Sequence, residues 1–109
     1  MSGWWRAGRG VACLLALASA VGVAWAQPAD AAPSAERGRQ LYMSYCARCH
    51  GINMVTPGAA FFDLRTLTPA EQERFERSVT QGLRAMPAWG SILKPADVQS
   101  LWTYVMAGR

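Results

Sequence analysis

Apolar residues recur at helical intervals in three stretches of the chain. Val98, Leu101, Trp102, Val105 and Met106 stand at i, i+3, i+4, i+7 and i+8, a wide stripe that one helix face would bury. Pro95 is placed to open that helix and Gly108 to end it. Upstream, Thr68-Pro69-Ala70-Glu71 is a capping box with proline at the first helical position. It predicts a second helix that carries Phe75 and Val79 at i and i+4 and stops at Gly82. A third is predicted over 35–45, with Ser34 as N-cap, Leu41 and Tyr45 on one face, and Gly38 and Tyr42 on a neighbouring one. The stretch 51–66 holds Pro57 and Gly58 without a sustained period and reads as loop. No run alternates apolar and polar as a half-buried strand does. The class is all-α: three main helices with long loops, and loops of that length in so small a domain usually wrap something.

The first 26 residues follow a different pattern. Arg6 and Arg9 precede an apolar run from Val11 to Ala24, and Ala24-Trp25-Ala26 supplies a small-x-small cleavage site. This is the layout of a signal peptide over 1–26, with Gln27 as the first mature residue. An uncleaved membrane anchor is the alternative, but a spanning helix needs about 20 apolar residues. Residues 27–33 are rich in Ala, Pro and Asp and read as a flexible lead-in, leaving one domain at 34–109. The expected location is therefore periplasmic, with no membrane span in the mature form. Charge changes little in this picture. Taking Arg6 and Arg9 away leaves nine of the 11 Lys and Arg against the same seven Asp and Glu, so the formal charge falls from +4 to +2. That balance gives no argument for nucleic acid.

The chemistry lies where the first helix ends. Cys46-Ala47-Arg48-Cys49-His50 is C-x-x-C-H, the string of c-type haem attachment. Residues three apart on a helical turn share a side, so two thiols reach the two vinyl groups on one porphyrin edge. The adjoining His50 then brings its imidazole to the iron. A zinc site needs three or four protein ligands, and this motif has two Cys and the chain's one His. A thioredoxin-like C-x-x-C belongs after a strand in a βαβ unit, which this pattern lacks. A plain Cys46–Cys49 disulfide would leave His50 unexplained. One covalent haem c is the expected cofactor. Its attachment outside the cytoplasm agrees with the leader.

With His50 the only histidine, the other axial ligand has to come from another residue type, and methionine favours Fe(II). Met43 and Met106 fall within predicted helices, and Met54 is tied to the His50 side by its four-residue spacing. Met86 lies in a loop directly before Pro87, which holds it in extended backbone. It is the expected sixth ligand. The cofactor-binding set is Cys46, Cys49, His50 and Met86, and the iron ligands are His50 and Met86.

With these residues in place the chain resembles the class I c-type cytochromes. The resemblance rests on Gly38 and Tyr42, the Cys46–His50 motif, Met86-Pro87, and Leu101 with Tyr104. It implies a cytochrome c fold wrapping one haem, with the first and last helices crossing at the glycine beside an aromatic residue. Asp63-Leu64-Arg65, Met86-Pro87-Ala88-Trp89, Leu93 and Asp97-Val98 are similar to small cytochromes that serve quinoprotein (PQQ) alcohol dehydrogenases. The implied function is electron transfer and not enzyme catalysis: electrons arrive from such a dehydrogenase and leave to a respiratory oxidase or another cytochrome. Two alternatives stand beside it, a haem enzyme or gas sensor with an open sixth position and a haem-free disulfide redox module. In this family a proline carbonyl commonly accepts the Nδ1–H of the proximal histidine, and Pro57 is the candidate here.

Overall fold

The computed structural model describes residues 31–108; the expected leader over 1–26 lies outside the described residues. Four α-helical segments follow in order: α1 (Ala35–Leu41), α2 (Ala47–His50), α3 (Gln72–Gln81) and α4 (Pro95–Ala107). Short 3₁₀ turns at Ile52–Met54, Leu64–Thr66 and Pro69–Glu71 punctuate the long loop, and no strand forms among the described residues. The all-α expectation is met. No described helix is long and apolar enough to cross a membrane.

The first helix starts as its residues require. The Ser34 Oγ accepts from the Arg37 N–H at 3.2 Å, satisfying one of the free donors of the first turn. It then departs from the uniform helix that the sequence suggests. Between α1 and α2 the turn Tyr42–Cys46 is π-helical, closed by the Ala47 N–H on the Tyr42 carbonyl. One extra residue per turn leaves no mark in an apolar period, and such bulges gather at functional sites. The helical path thereby continues through the cysteine motif to His50 instead of ending before it.

Helices α1 and α4 cross in contact. At Gly38 a Cβ would overlap the Ser100 carbonyl, so only glycine allows the backbones to approach this closely. Tyr42 and Tyr104 pack beside the crossing with ring centroids 5.3 Å apart. Outside it, Arg37 and Asp97 form an ion pair at 3.0 Å. The stripe on α4 is buried as its spacing predicts: Val98, Leu101, Trp102 and Val105 join the core, with Met106 packed at its margin. Trp102 meets Phe75 of α3 at 5.2 Å, which fixes the third helix against the crossing pair. The capping box of α3 also forms, with the Thr68 N–H donating to Glu71 Oε2 at 2.8 Å. Gly82, at φ 79°, ends the helix where a side chain would be strained.

Candidate functional site

The three helices leave a cleft between the cysteine motif and the segment that follows α3. Its inner part, a cavity of about 150 Å³, is walled by Tyr42, Leu64, Leu67, Phe75, Val79, Leu101 and Val105. A groove of about 580 Å³ adjoins it along Tyr45, Cys49, Phe61, Ala85 and Trp89. Cys46, His50 and Met86 line both parts, so they form one site. Leu101 and Val105 of the α4 stripe line its inner part, and the motif and the Met86 segment form two of its walls.

Cys46 and Cys49 are both free thiols, Cys46 half-buried and Cys49 exposed. Burial, with the neighbouring Cys49 as a smaller contribution, pushes the Cys46 thiol up to about 12. It therefore sits in the cleft as a neutral S–H group. The His50 Nδ1 lies 3.1 Å from the Phe62 carbonyl oxygen. A carbonyl only accepts, so Nδ1 donates to it and Nε2 is the nitrogen left to meet a metal. Such a partner fixes the ring and makes the free nitrogen a better donor to a metal. Pro57 does not fill this role; the acceptor is the backbone of Phe62. The correction has a simple cause: any residue has a carbonyl, so no side-chain signature marks the one that the loop brings to His50.

Met86 is held by a different set of contacts. Leu83 and Met86 exchange two backbone hydrogen bonds, Leu83 N–H to Met86 O at 3.1 Å and Met86 N–H to Leu83 O at 3.0 Å. Arg84 occupies the first central position of this tight turn at φ 54°, where glycine is usual. Beyond Pro87, the Trp89 N–H reaches the Val79 carbonyl at 2.8 Å and the Gly90 N–H reaches that of Thr80 at 3.1 Å. The Trp89 ring packs on Tyr45 at 5.3 Å, which links the Met86 segment to the helix that carries the cysteines.

The other described methionines lie apart from the cleft. Met54 is 2% exposed and belongs to the core, where its backbone donates to the Tyr42 hydroxyl. Met43 is exposed and Met106 packs at the core margin. Among the described residues, no group of three or more His, Cys, Asp and Glu side chains gathers to hold a bare metal ion. The site thus offers two thiols, one imidazole with a free Nε2, one thioether and apolar walls. That set fits a planar, largely apolar metal chelate held through its edge and through its metal.

Comparison with known proteins agrees with this chemistry. The family described as cytochrome c oxidase, cbb3-type, subunit III, matches residues 33–105. The quinohemoprotein alcohol dehydrogenase ADH IIB of Pseudomonas putida is 38% identical over 85 residues, which are 74% of this chain and 12% of that enzyme. Cytochrome c6 of Rippkaea orientalis is 34% identical over 84 residues, 73% of this chain and 76% of the relative. The cbb3-type cytochrome c oxidase subunit FixP of Azorhizobium caulinodans is 31% identical over 87 residues, 73% of this chain and 29% of that subunit. The chain thus spans a small part of the large oxidoreductases it resembles and three quarters of a small carrier. The matched segment takes in α1 to α3, the cysteine motif, Met86 and α4 as far as Val105. This protein is a class I c-type cytochrome that carries covalently bound haem c.

Proposed function

We propose that the chain is a periplasmic carrier of single electrons, exported by its first 26 residues and folded over 34–109. In this reading Cys46 and Cys49 would hold one haem through thioethers, and His50 and Met86 would ligate its iron. The observation that carries it is the convergence of these four side chains on one cleft. When bound, the haem supplies a one-electron Fe(III)/Fe(II) couple.

The chain's own residues do the rest. Cys46 and Cys49 would supply the two S–H groups for thioether attachment to the haem vinyl groups, an addition that needs no oxidant. The Phe62 carbonyl keeps the His50 proton on Nδ1 and leaves Nε2 for the iron. The turn at 83–86 and the two backbone bonds onto α3 would hold Met86 at the cleft as the second ligand. The apolar lining excludes water, which lowers the reorganisation needed when charge changes in the cleft. With His50 and Met86 both given to the iron, the site would leave no ligand position for a substrate, which separates a carrier from a haem enzyme or a gas sensor.

The donor assigned here is a quinoprotein alcohol dehydrogenase, and the acceptor is a respiratory oxidase or another cytochrome. The two kinds of large relative support this assignment, since a cytochrome segment like this chain lies within an alcohol dehydrogenase and within a cbb3-type oxidase subunit. Intact mass and an absorption spectrum of the exported protein test the core of the proposal. The expected mass is the chain from Gln27 plus one haem, with a low-spin c-type spectrum. A high-spin spectrum would assign an open sixth position. A haem-free mass with Cys46 and Cys49 joined would overturn the proposal.

A further inference from the structure

The cleft is electrostatically one-sided. Arg74 and Arg84 line its inner cavity, Arg48 and Arg84 line its groove, and no Asp or Glu lines either part. An apolar cleft rimmed by cations alone suits a ligand that is apolar in its body and anionic at its margin. Haem has that form, since it carries two propionate carboxylates on the porphyrin edge away from its vinyl groups.

The three arginines are not equivalent. Arg74 is already committed: its guanidinium pairs with Glu71 at 2.7 Å and lies over the Phe62 ring at 5.2 Å. Arg48 stands between the two cysteines, at the edge where the vinyl groups must lie. Arg84 makes no ion pair or side-chain hydrogen bond among the described residues, and it alone of the three lines both parts of the cleft. It also occupies a backbone position that disfavours it. At φ 54° an arginine is strained where glycine would be at ease. A strained residue persists where something else rewards its side chain.

We propose that Arg84 is a positioning residue for the cofactor: its guanidinium pairs with a haem propionate and, by neutralising that anion near the iron, raises the reduction potential. The proposal rests on the haem site described above. A carboxylate close to the iron favours Fe(III). Pairing it with a fixed cation removes that preference, and a planar guanidinium suits a carboxylate better than an ammonium does.

The test compares Arg84→Gly, Arg84→Lys and, as a control, Arg77→Gln; Arg77 is exposed, pairs with Glu73 and lies outside the cleft. The midpoint potential of the holoprotein is measured by spectroelectrochemistry at fixed pH and ionic strength. Redox-difference infrared spectra follow the propionate carboxylate bands, and thermal unfolding follows stability. Arg84→Gly is expected to lower the Fe(II)/Fe(III) ratio at a given potential by roughly three- to tenfold, a decade being about 59 mV for one electron. Its propionate bands shift, while its unfolding temperature equals or exceeds that of the parent because glycine relieves the turn. Arg84→Lys keeps most of the potential, and Arg77→Gln changes neither potential nor bands. An unchanged potential in Arg84→Gly would overturn the proposal, as would a drop in Arg84→Lys as large as in Arg84→Gly. The methionine–Fe(III) charge-transfer band is recorded in every sample and judges Met86 separately from Arg84.

Discussion

The two walls of the cleft hold their functional side chains by different means. On one wall Cys46, Cys49 and His50 lie within five consecutive residues on one helical path, and only the His50 ring relies on a distant partner, the Phe62 carbonyl. On the other wall Met86 stands on a two-residue turn beyond the end of α3. Its place depends on backbone bonds to Val79 and Thr80 and on the packing of Trp89 against Tyr45. The first wall is local in sequence and covalent in its proposed bonding. The second is tertiary throughout. One wall can therefore keep the cofactor while the other sets its properties, and damage to the two should look different.

The largest effect is expected from the cysteine wall. Replacing both Cys46 and Cys49 by alanine should abolish covalent attachment, so that acidified organic solvent extracts any haem that remains. Haem that stays with the chain through this extraction would break the distinction between the walls. On the other side, Met86→Ala should keep the covalent haem but convert the iron to a high-spin or water-ligated state of lower potential. Loss of the charge-transfer band near-quantitatively in this variant, and its survival in Met54→Ala and Met106→Ala, is the expected pattern. Survival in Met86→Ala would assign the ligand to another residue.

A smaller effect sharpens the comparison at the base of the cysteine wall. The Tyr42 hydroxyl donates to the Gly51 carbonyl at 2.6 Å and tethers the turn that follows His50. Tyr42→Phe leaves that carbonyl and the Met54 N–H without this partner, at a cost of about 1–3 kcal/mol. Burial, with smaller contributions from Cys46 and Tyr104, raises the Tyr42 hydroxyl from 10.0 to about 12, which favours its neutral form in the folded protein. Its contribution to stability is complete below pH 10 and is lost as pH rises from 10 towards 12, because the unfolded chain releases this proton first. Denaturant unfolding across that range should show a decline in the parent protein that is shallower in Tyr42→Phe. Equal slopes would show that the hydroxyl is not the group responsible.

Much of this arrangement is written in local sequence, because its causes are local. A capping box, a proline at the start of a helix, an i, i+3, i+4 stripe and a five-residue attachment motif each act within a turn or two of chain, and all four appear in the fold. Gly38 is a partial case. Its cost inside a helix signals a close approach, but the partner, Ser100, is known only from the crossing. The signal that singles out Met86 is also local, a loop position before proline, although its placement on the same cleft as His50 depends on hydrogen bonds to α3.

Sequence alone determined the all-α class and the attachment motif, because residue type and spacing are sufficient for each, and it named His50 and Met86 as the expected axial pair. Tertiary structure decided three further things: the π-helical turn before the motif, the Phe62 carbonyl in place of Pro57 as the partner of His50, and the place of Arg84 on both parts of the cleft. All three depend on where the backbone runs. Every residue has the same carbonyl, an extra residue in a helical turn barely disturbs the apolar period, and an arginine in a loop comes to line the cleft only when the chain folds back to form it.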